Sequence, residues 1–231
     1  MISALIPVLL VLLSLRLLLT EQYLLWMYQT PGFPADLYGW PDEVRRDYGP
    51  YGIRYLLNDA PISYLGDLEI EGEPAFIGRE LDHMEDVQAL TQGALQILTP
   101  ALMLFILASL YLLRDTPGRA LYWRALSRGG MLTILLSFGA LGLIGLSWDF
   151  FFEGFHSLFF ADGTWQFYRS DTLIRLYPEA FWIRSSILLA ALALGGALLL
   201  WWLPLYLLRR QQAHQPPHEG LQAMPGSDPL P

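Results

Sequence analysis

Apolar positions in this 231-residue chain are gathered into long blocks rather than spread evenly. Four blocks reach the roughly 20 residues that a helix needs to cross a bilayer, at residues 2–27, 95–113, 131–148 and 186–208. The first resembles a secretory leader only superficially. It lacks a basic start and a small-x-small cleavage site, and its apolar run exceeds a leader's hydrophobic core, so the pattern predicts a retained span. The expected fold is an all-α membrane protein, a four-transmembrane-helix bundle with a small mixed extracytoplasmic cap. One membrane domain covers residues 1–210, with outer segments 28–94 and 149–185. Residues 211–231 are polar and rich in proline and glycine, and predict a disordered cytoplasmic tail.

Prolines and glycines punctuate residues 28–78. Residues 62–65 and 68–70 predict short strands, and Glu71-Gly72-Glu73 a turn. Such a segment is too small for a large core of its own and is expected to pack over the bundle. From about Phe76 the pattern becomes helical and runs toward the second block, where Pro100 predicts a kink. Gly139, Gly142 and Gly145 in the third block, and Ala191, Gly195 and Gly196 in the fourth, suit close helix packing. Arg16 interrupts the first block, either snorkelling to an interface or pairing with a carboxylate.

Charge placement orients the chain. Residues 114–128 carry four arginines against Asp115 alone, and Arg209 and Arg210 follow the fourth block, whereas residues 20–90 carry four arginines and fourteen acids. Basic loops stay cytoplasmic, which puts both termini inside and both acidic segments outside. A net charge of −8 argues against a nucleic-acid partner. The chain has no cysteine, and all fourteen of its basic residues are arginine. Disulfides, thiol nucleophiles and lysine-based mechanisms are therefore excluded.

Two histidines remain as candidate chemistry, each in a carboxylate-rich stretch beside a span. On a helix, Glu80, His83 and Val87 share a face with Asp86 within reach, and Asp149, Phe152, Glu153 and His156 align likewise if the third helix extends outward. A carboxylate beside each imidazole (Glu80 or Asp86, and Glu153) would fix its tautomer and raise its basicity. The bland alternative is a pair of interfacial hydrogen-bonding side chains. A zinc or manganese site is a rival use of the same groups, although no His-x-x-x-His pair occurs. Ser157 points away from its neighbour His156 and makes a poor nucleophile. His214 and His218 fall in the predicted tail.

The string Glu80-Leu-Asp-His83-Met-Glu-Asp86-Val87 resembles a Glu-x-x-His-Met-x-Asp-Val motif. Phe155-His156-Ser-Leu-Phe159-Phe160, with Trp165-Gln-Phe167, Asp171-Thr-Leu-Ile174, Pro178 and Phe181-Trp182 downstream, resembles a second signature. Together, over about residues 1–210, they are similar to the lipoprotein intramolecular transacylase (Lit) family of bacterial membrane proteins. The resemblance implies an acyltransferase of the bacterial cytoplasmic membrane, acting on diacylglyceryl-modified lipoproteins among membrane lipids. It would move the sn-2 acyl chain of an S-diacylglyceryl cysteine onto the cysteine's own α-amino group, with no cofactor or metal. The family's two essential histidines match His83 and His156. One would take the amine proton while the other donates to the glyceryl oxygen or stabilises the oxyanion. His83 is the first choice of base, oriented by Glu80 or Asp86, and the reverse assignment is open. Phe155, Phe159 and Trp165 would line the acyl or headgroup contact. The rival functions are a metal-dependent membrane hydrolase and a non-catalytic accessory or sensor protein.

Overall fold

The structure, a computed structural model, describes residues 1–213. Its elements in chain order are α1 (Ile2–Leu18), α2 (Glu21–Tyr28), α3 (Asp42–Leu57), α4 (Ser63–Gly66), β1 (Glu69–Ile70), β2 (Glu73–Pro74), α5 (Gly78–Leu112), α6 (Thr116–Leu146), α7 (Trp148–Phe159), α8 (Thr172–Leu176) and α9 (Glu179–Ala213). Helices α1, α5, α6 and α9 form the bundle, with the most extensive contact between α6 and α9. Three of them, α5, α6 and α9 as far as Tyr206, are long and apolar enough to cross a membrane alone, and α1 with α2 makes a fourth, bent candidate. Leu107, Leu135 and Leu199 are exposed on the outside of the bundle, as lipid-facing positions are.

Of the small residues that the spacing singled out, Gly196 brings helices together and the glycine stripe of α6 does not. A Cβ at Gly130 would lie 2.7 Å from the Ala197 carbonyl, and one at Gly129 would lie 2.5 Å from Ile6. Gly196 sits equally close to Leu10, whereas Gly139, Gly142, Gly145 and Gly195 face nothing within 4 Å. Close approach occurs where α6 meets α1 and α9, nearer the start of α6 than the predicted stripe.

The first apolar block is two helices bent by 67°. Thr20 adopts an extended conformation and its side chain accepts from the Tyr23 N–H at 3.2 Å, an N-cap that starts α2 in a new direction. Arg16 donates to the Leu19 carbonyl at 3.2 Å, so it satisfies the end of α1 rather than pairing with a carboxylate. The bend turns Tyr23, Leu24 and Met27 into the core of the cap.

That core also takes Ile53 and Tyr55 from α3, Leu65 from α4, Met84 from α5, Leu173 and Leu176 from α8, and Phe181 from α9. The cap is thus built onto the bundle ends. Residues 62–65 are a helical turn, not a strand. Pro61 fixes the entry, and the Ile62 carbonyl accepts from the Leu65 and Gly66 amides. The predicted turn at Glu71-Gly72 does join β1 to β2, with both residues in the left-handed region. Helix α3 carries its glycines against tyrosines. The Tyr177 hydroxyl donates to the Gly49 carbonyl at 2.5 Å, and a Cβ at Gly52 would collide with the same side chain. Asp36 joins the loop before α3 to α8, accepting two hydrogen bonds from Arg175 at 2.9 and 3.1 Å and lying 3.9 Å from Arg45.

Two features place the site. Helix α5 has 35 residues and runs unbroken through Pro100, about 52 Å at 1.5 Å per residue against roughly 30 Å of hydrocarbon. Its polar first turns therefore stand clear of the span. The third spanning helix, by contrast, does not extend as one rod. It stops at Leu146, Ser147 is extended, and the Ser147 side chain caps α7 by accepting from the Phe150 N–H at 3.2 Å. Helix α9 continues to Ala213. The remainder of the predicted tail, with His214 and His218, lies outside the described residues.

Candidate active site

His83 projects from the second turn of the polar end of α5, and His156 from the last turns of α7. Their rings lie 6.2 Å apart between centroids with 26° between planes. Phe160 and Phe167 pack on His83 at 5.0 and 5.3 Å. Phe152 and Trp165 pack on His156 at 4.0 and 4.8 Å. The two imidazoles thus share one aromatic cage, closed on one side by the loop between α7 and α8.

The carboxylates expected to orient the rings are elsewhere. Glu80 is 1% exposed, and its two oxygens accept from the Ile77 N–H at 3.0 Å and the Leu173 N–H at 2.7 Å. It ties the start of α5 to α8 instead of touching His83. Asp86 and Glu153 are exposed. Among the described residues, no carboxylate is bonded to either imidazole. Glu153 and His156 share α7 three residues apart, but the His156 Nδ1 bonds to the Phe152 carbonyl while Glu153 faces the surface.

His156 takes its orientation from the backbone. Its Nδ1 lies 2.8 Å from the Phe152 carbonyl one turn earlier. A carbonyl oxygen only accepts, so Nδ1 carries the proton and Nε2 presents a lone pair. Burial also pushes the His156 pKa below its ordinary value, against the pull of that carbonyl. His83 is 8% exposed. Burial first, and the neighbouring His156 second, push it down to about 4. Both rings are therefore neutral at neutral pH.

Of the expected lining residues, Trp165 is buried in the cage, and its indole Nε1 has no hydrogen-bond partner; His83 Nδ1 is in the same condition. Phe155 meets the edge of His156 at 5.5 Å, while Phe159 packs tilted against Phe155 at 5.0 Å. Both phenylalanines are about half exposed. Phe160 and Phe167, within the strings that carry the family resemblance, are closer to the chemistry than either. The Arg79–Asp171 pair was also missed. Arg79 Nη2 donates to Asp171 at 2.5 Å, and Asp171 accepts from the Tyr168 N–H at 2.7 Å. With Glu80 it fastens the Trp165 loop to the helix that carries His83. No spacing rule links residues so distant in sequence. Among the described residues, no group of three metal-ligating side chains converges.

The model of the family described as lipoprotein intramolecular transacylase Lit matches residues 1–182. The chain belongs to the Lit family. A protein of Aquifex aeolicus without a characterised function is 31% identical over 194 residues, covering 81% of this chain and 84% of its own. The membrane-integral Lit of Bacillus cereus is similar in fold, at a TM-score of 0.65 and 19% identity over 92% of this chain and 96% of that one. A variant of the same protein with a histidine replaced by alanine gives 0.67 and 20%, over 92% of each chain. This Lit-family chain is thus a multi-pass membrane acyltransferase, and both of its paired histidines lie within the matched residues.

Proposed function

We propose that this Lit-family protein transfers the sn-2 acyl chain of an S-diacylglyceryl cysteine to that cysteine's α-amino group, at the outer face of the bacterial cytoplasmic membrane. The observation that carries the proposal is the convergence of His83 and His156 in one aromatic cage, in a chain without cysteine or lysine. Amine and ester belong to one substrate, so orientation and proton transfer suffice and no acyl-enzyme is needed. Ser157, the residue beside His156, is exposed.

The tautomer of His156 supports the reverse of the first role assignment. Its Nε2 takes the proton of the attacking amine and, as imidazolium, returns it to the glyceryl oxygen as the ester C–O bond breaks. Neutral His83 holds that oxygen by an N–H hydrogen bond, so the net movement is from nitrogen to oxygen and both rings end neutral. Glu80, Arg79 and Asp171 position the cage walls rather than the proton. Arg114 between α5 and α6, with Arg119, Arg124 and Arg128 in the first half of α6, favours the cytoplasmic side, which leaves the cap and the cage outside, level with a lipoprotein's glyceryl esters. The exposed apolar side chains of α7, among them Phe150 and Leu158, suit contact with lipid and offer acyl chains a lateral approach.

Expression in a host that makes only diacyl lipoproteins, followed by mass spectrometry of the N-terminal lipopeptides, tests the proposal. It predicts an acyl chain moved onto the amine, dependent on both histidines. Unchanged diacyl lipopeptides in the presence of folded protein would contradict it.

A further inference from the structure

Trp165 is 8% exposed, and its Nε1 is one of two buried side-chain polar atoms without a hydrogen-bond partner among the described residues. The other, His83 Nδ1, lies in the same cage. An indole nitrogen can only donate, and a buried donor without an acceptor is destabilising. Such a donor beside a catalytic pair is accounted for if the substrate supplies the acceptor.

We propose that the Trp165 indole N–H donates to the acyl carbonyl oxygen of the substrate ester and stabilises the oxyanion formed at it, an assignment that rests on the transacylase reading above. In that step the amine nitrogen bonds to the carbonyl carbon, and the carbonyl π pair moves onto the oxygen facing the indole. The amine proton goes to His156 Nε2. On collapse the pair returns, the bond to the glyceryl oxygen breaks, and that oxygen leaves with the proton returned by His156.

Geometry favours Trp165 over the other groups of the cage. Its ring lies 4.8 Å from His156, so a carbonyl beside the indole is also beside the base. The His156 Nδ1–H is already engaged by Phe152, and Phe152, Phe160 and Phe167 offer no polar hydrogen. The loop that carries Trp165 is fastened at Asp171 to Arg79 and at Leu173 to Glu80. The donor is therefore fixed before charge develops, the condition under which such donors are most effective.

Two replacements separate the N–H from the ring. Trp165→Phe removes the donor and part of the ring, and β-(benzothiophen-3-yl)alanine at position 165 keeps the shape but puts sulfur where the N–H stood. With a synthetic diacylglyceryl lipopeptide, both should lower kcat by roughly 10²–10³-fold with little change in KM, as loss of one oxyanion donor does. An isostere with wild-type kcat overturns the assignment, even if the phenylalanine variant fails to fold. In unaltered protein carrying 15N-tryptophan, a phosphonate analogue of the ester should move the Trp165 indole proton downfield, and an unmoved resonance also overturns it. Wild-type protein that transfers no acyl chain defeats the transacylase reading and this assignment together. An active wild type with an equally active isostere defeats this assignment alone.

Discussion

His83 and His156 stand nearly parallel, 6.2 Å between ring centroids, on helices that reach the site from different parts of the bundle. The gap suits a reacting centre touched from both sides better than a direct bond between the rings. The proposed roles therefore make the pair a unit. His83→Ala and His156→Ala should each slow acyl transfer by about 10²–10⁴-fold, and the double variant should be little worse than the poorer single one. Initial rates on a synthetic lipopeptide provide the comparison. Losses that simply multiply would mean that the two act independently.

Both imidazoles should titrate below an ordinary histidine. Burial and His156 push His83 down to about 4, and burial lowers His156, against a free value of about 6.5. For groups depressed on folding, the unfolded chain binds protons first. Their contribution to stability is therefore complete above about pH 6.5 and is lost as pH falls toward about 4. Exchange of the imidazole C2 hydrogen, followed by mass spectrometry across pH, reads each ring separately. A midpoint for His83 at or above 6.5 would contradict the described burial.

Glu80 should behave as a fastening, not as part of a proton relay. Glu80→Gln retains one oxygen acceptor and places an amide N–H against a backbone N–H, leaving one of Ile77 and Leu173 unsatisfied. The expected cost is about 1–3 kcal/mol, seen as a lower Tm and faster amide exchange around Leu173, with the His83 titration moved little. A shifted His83 midpoint with unchanged Tm would restore the orienting role that helical spacing suggested.

Asp36 is the acid that holds the cap on α8. Burial raises its pKa, but the Arg175 hydrogen bonds and the backbone amides of Trp40 and Tyr38 outweigh this and leave it below the usual carboxylate range. Its side chain is 2% exposed, between Arg175 and the buried Arg45. Asp36→Ala strands both cations and should cost about 3–5 kcal/mol. Thermal unfolding in detergent or lipid checks this. A loss no larger than that of Glu43→Ala, on the exposed Arg46 pair, would show that the network contributes little.

The bundle was legible because bilayer-length apolar blocks leave few alternatives, and the helical start near Phe76 was visible in its periodicity. Composition is silent on direction, so neither the bend at Thr20 nor the break at Ser147 could be read, although each is made by a capping hydroxyl. The gap between sequence and site lies in competing partners. Glu80 and Glu153 occupy the helical positions of orienting groups, yet Glu80 is drawn to Leu173 by a tertiary contact, and the Phe152 carbonyl takes the His156 Nδ1 while Glu153 faces the surface. Gly129 and Gly130 pack where Gly139, Gly142 and Gly145 were expected, because only the meeting point of the helices decides which small residues matter. The histidine pair is a candidate from its acidic flanks and from the absence of other nucleophiles, the family resemblance makes it the first choice, and the structure adds the cage around it.

The most direct test of the central claim is a crossover measurement on purified protein in lipid. Two synthetic S-diacylglyceryl lipopeptides of different peptide mass are mixed, one carrying a deuterated sn-2 chain and the other unlabelled, and the products are read by mass spectrometry. The account predicts that the chain appears on the amine of its own peptide only, leaves a free sn-2 hydroxyl, and moves at least about 10²-fold more slowly in His83→Ala and His156→Ala. Label exchanged between the two peptides, free fatty acid as the main product, or transfer at the wild-type rate after loss of either histidine would contradict it.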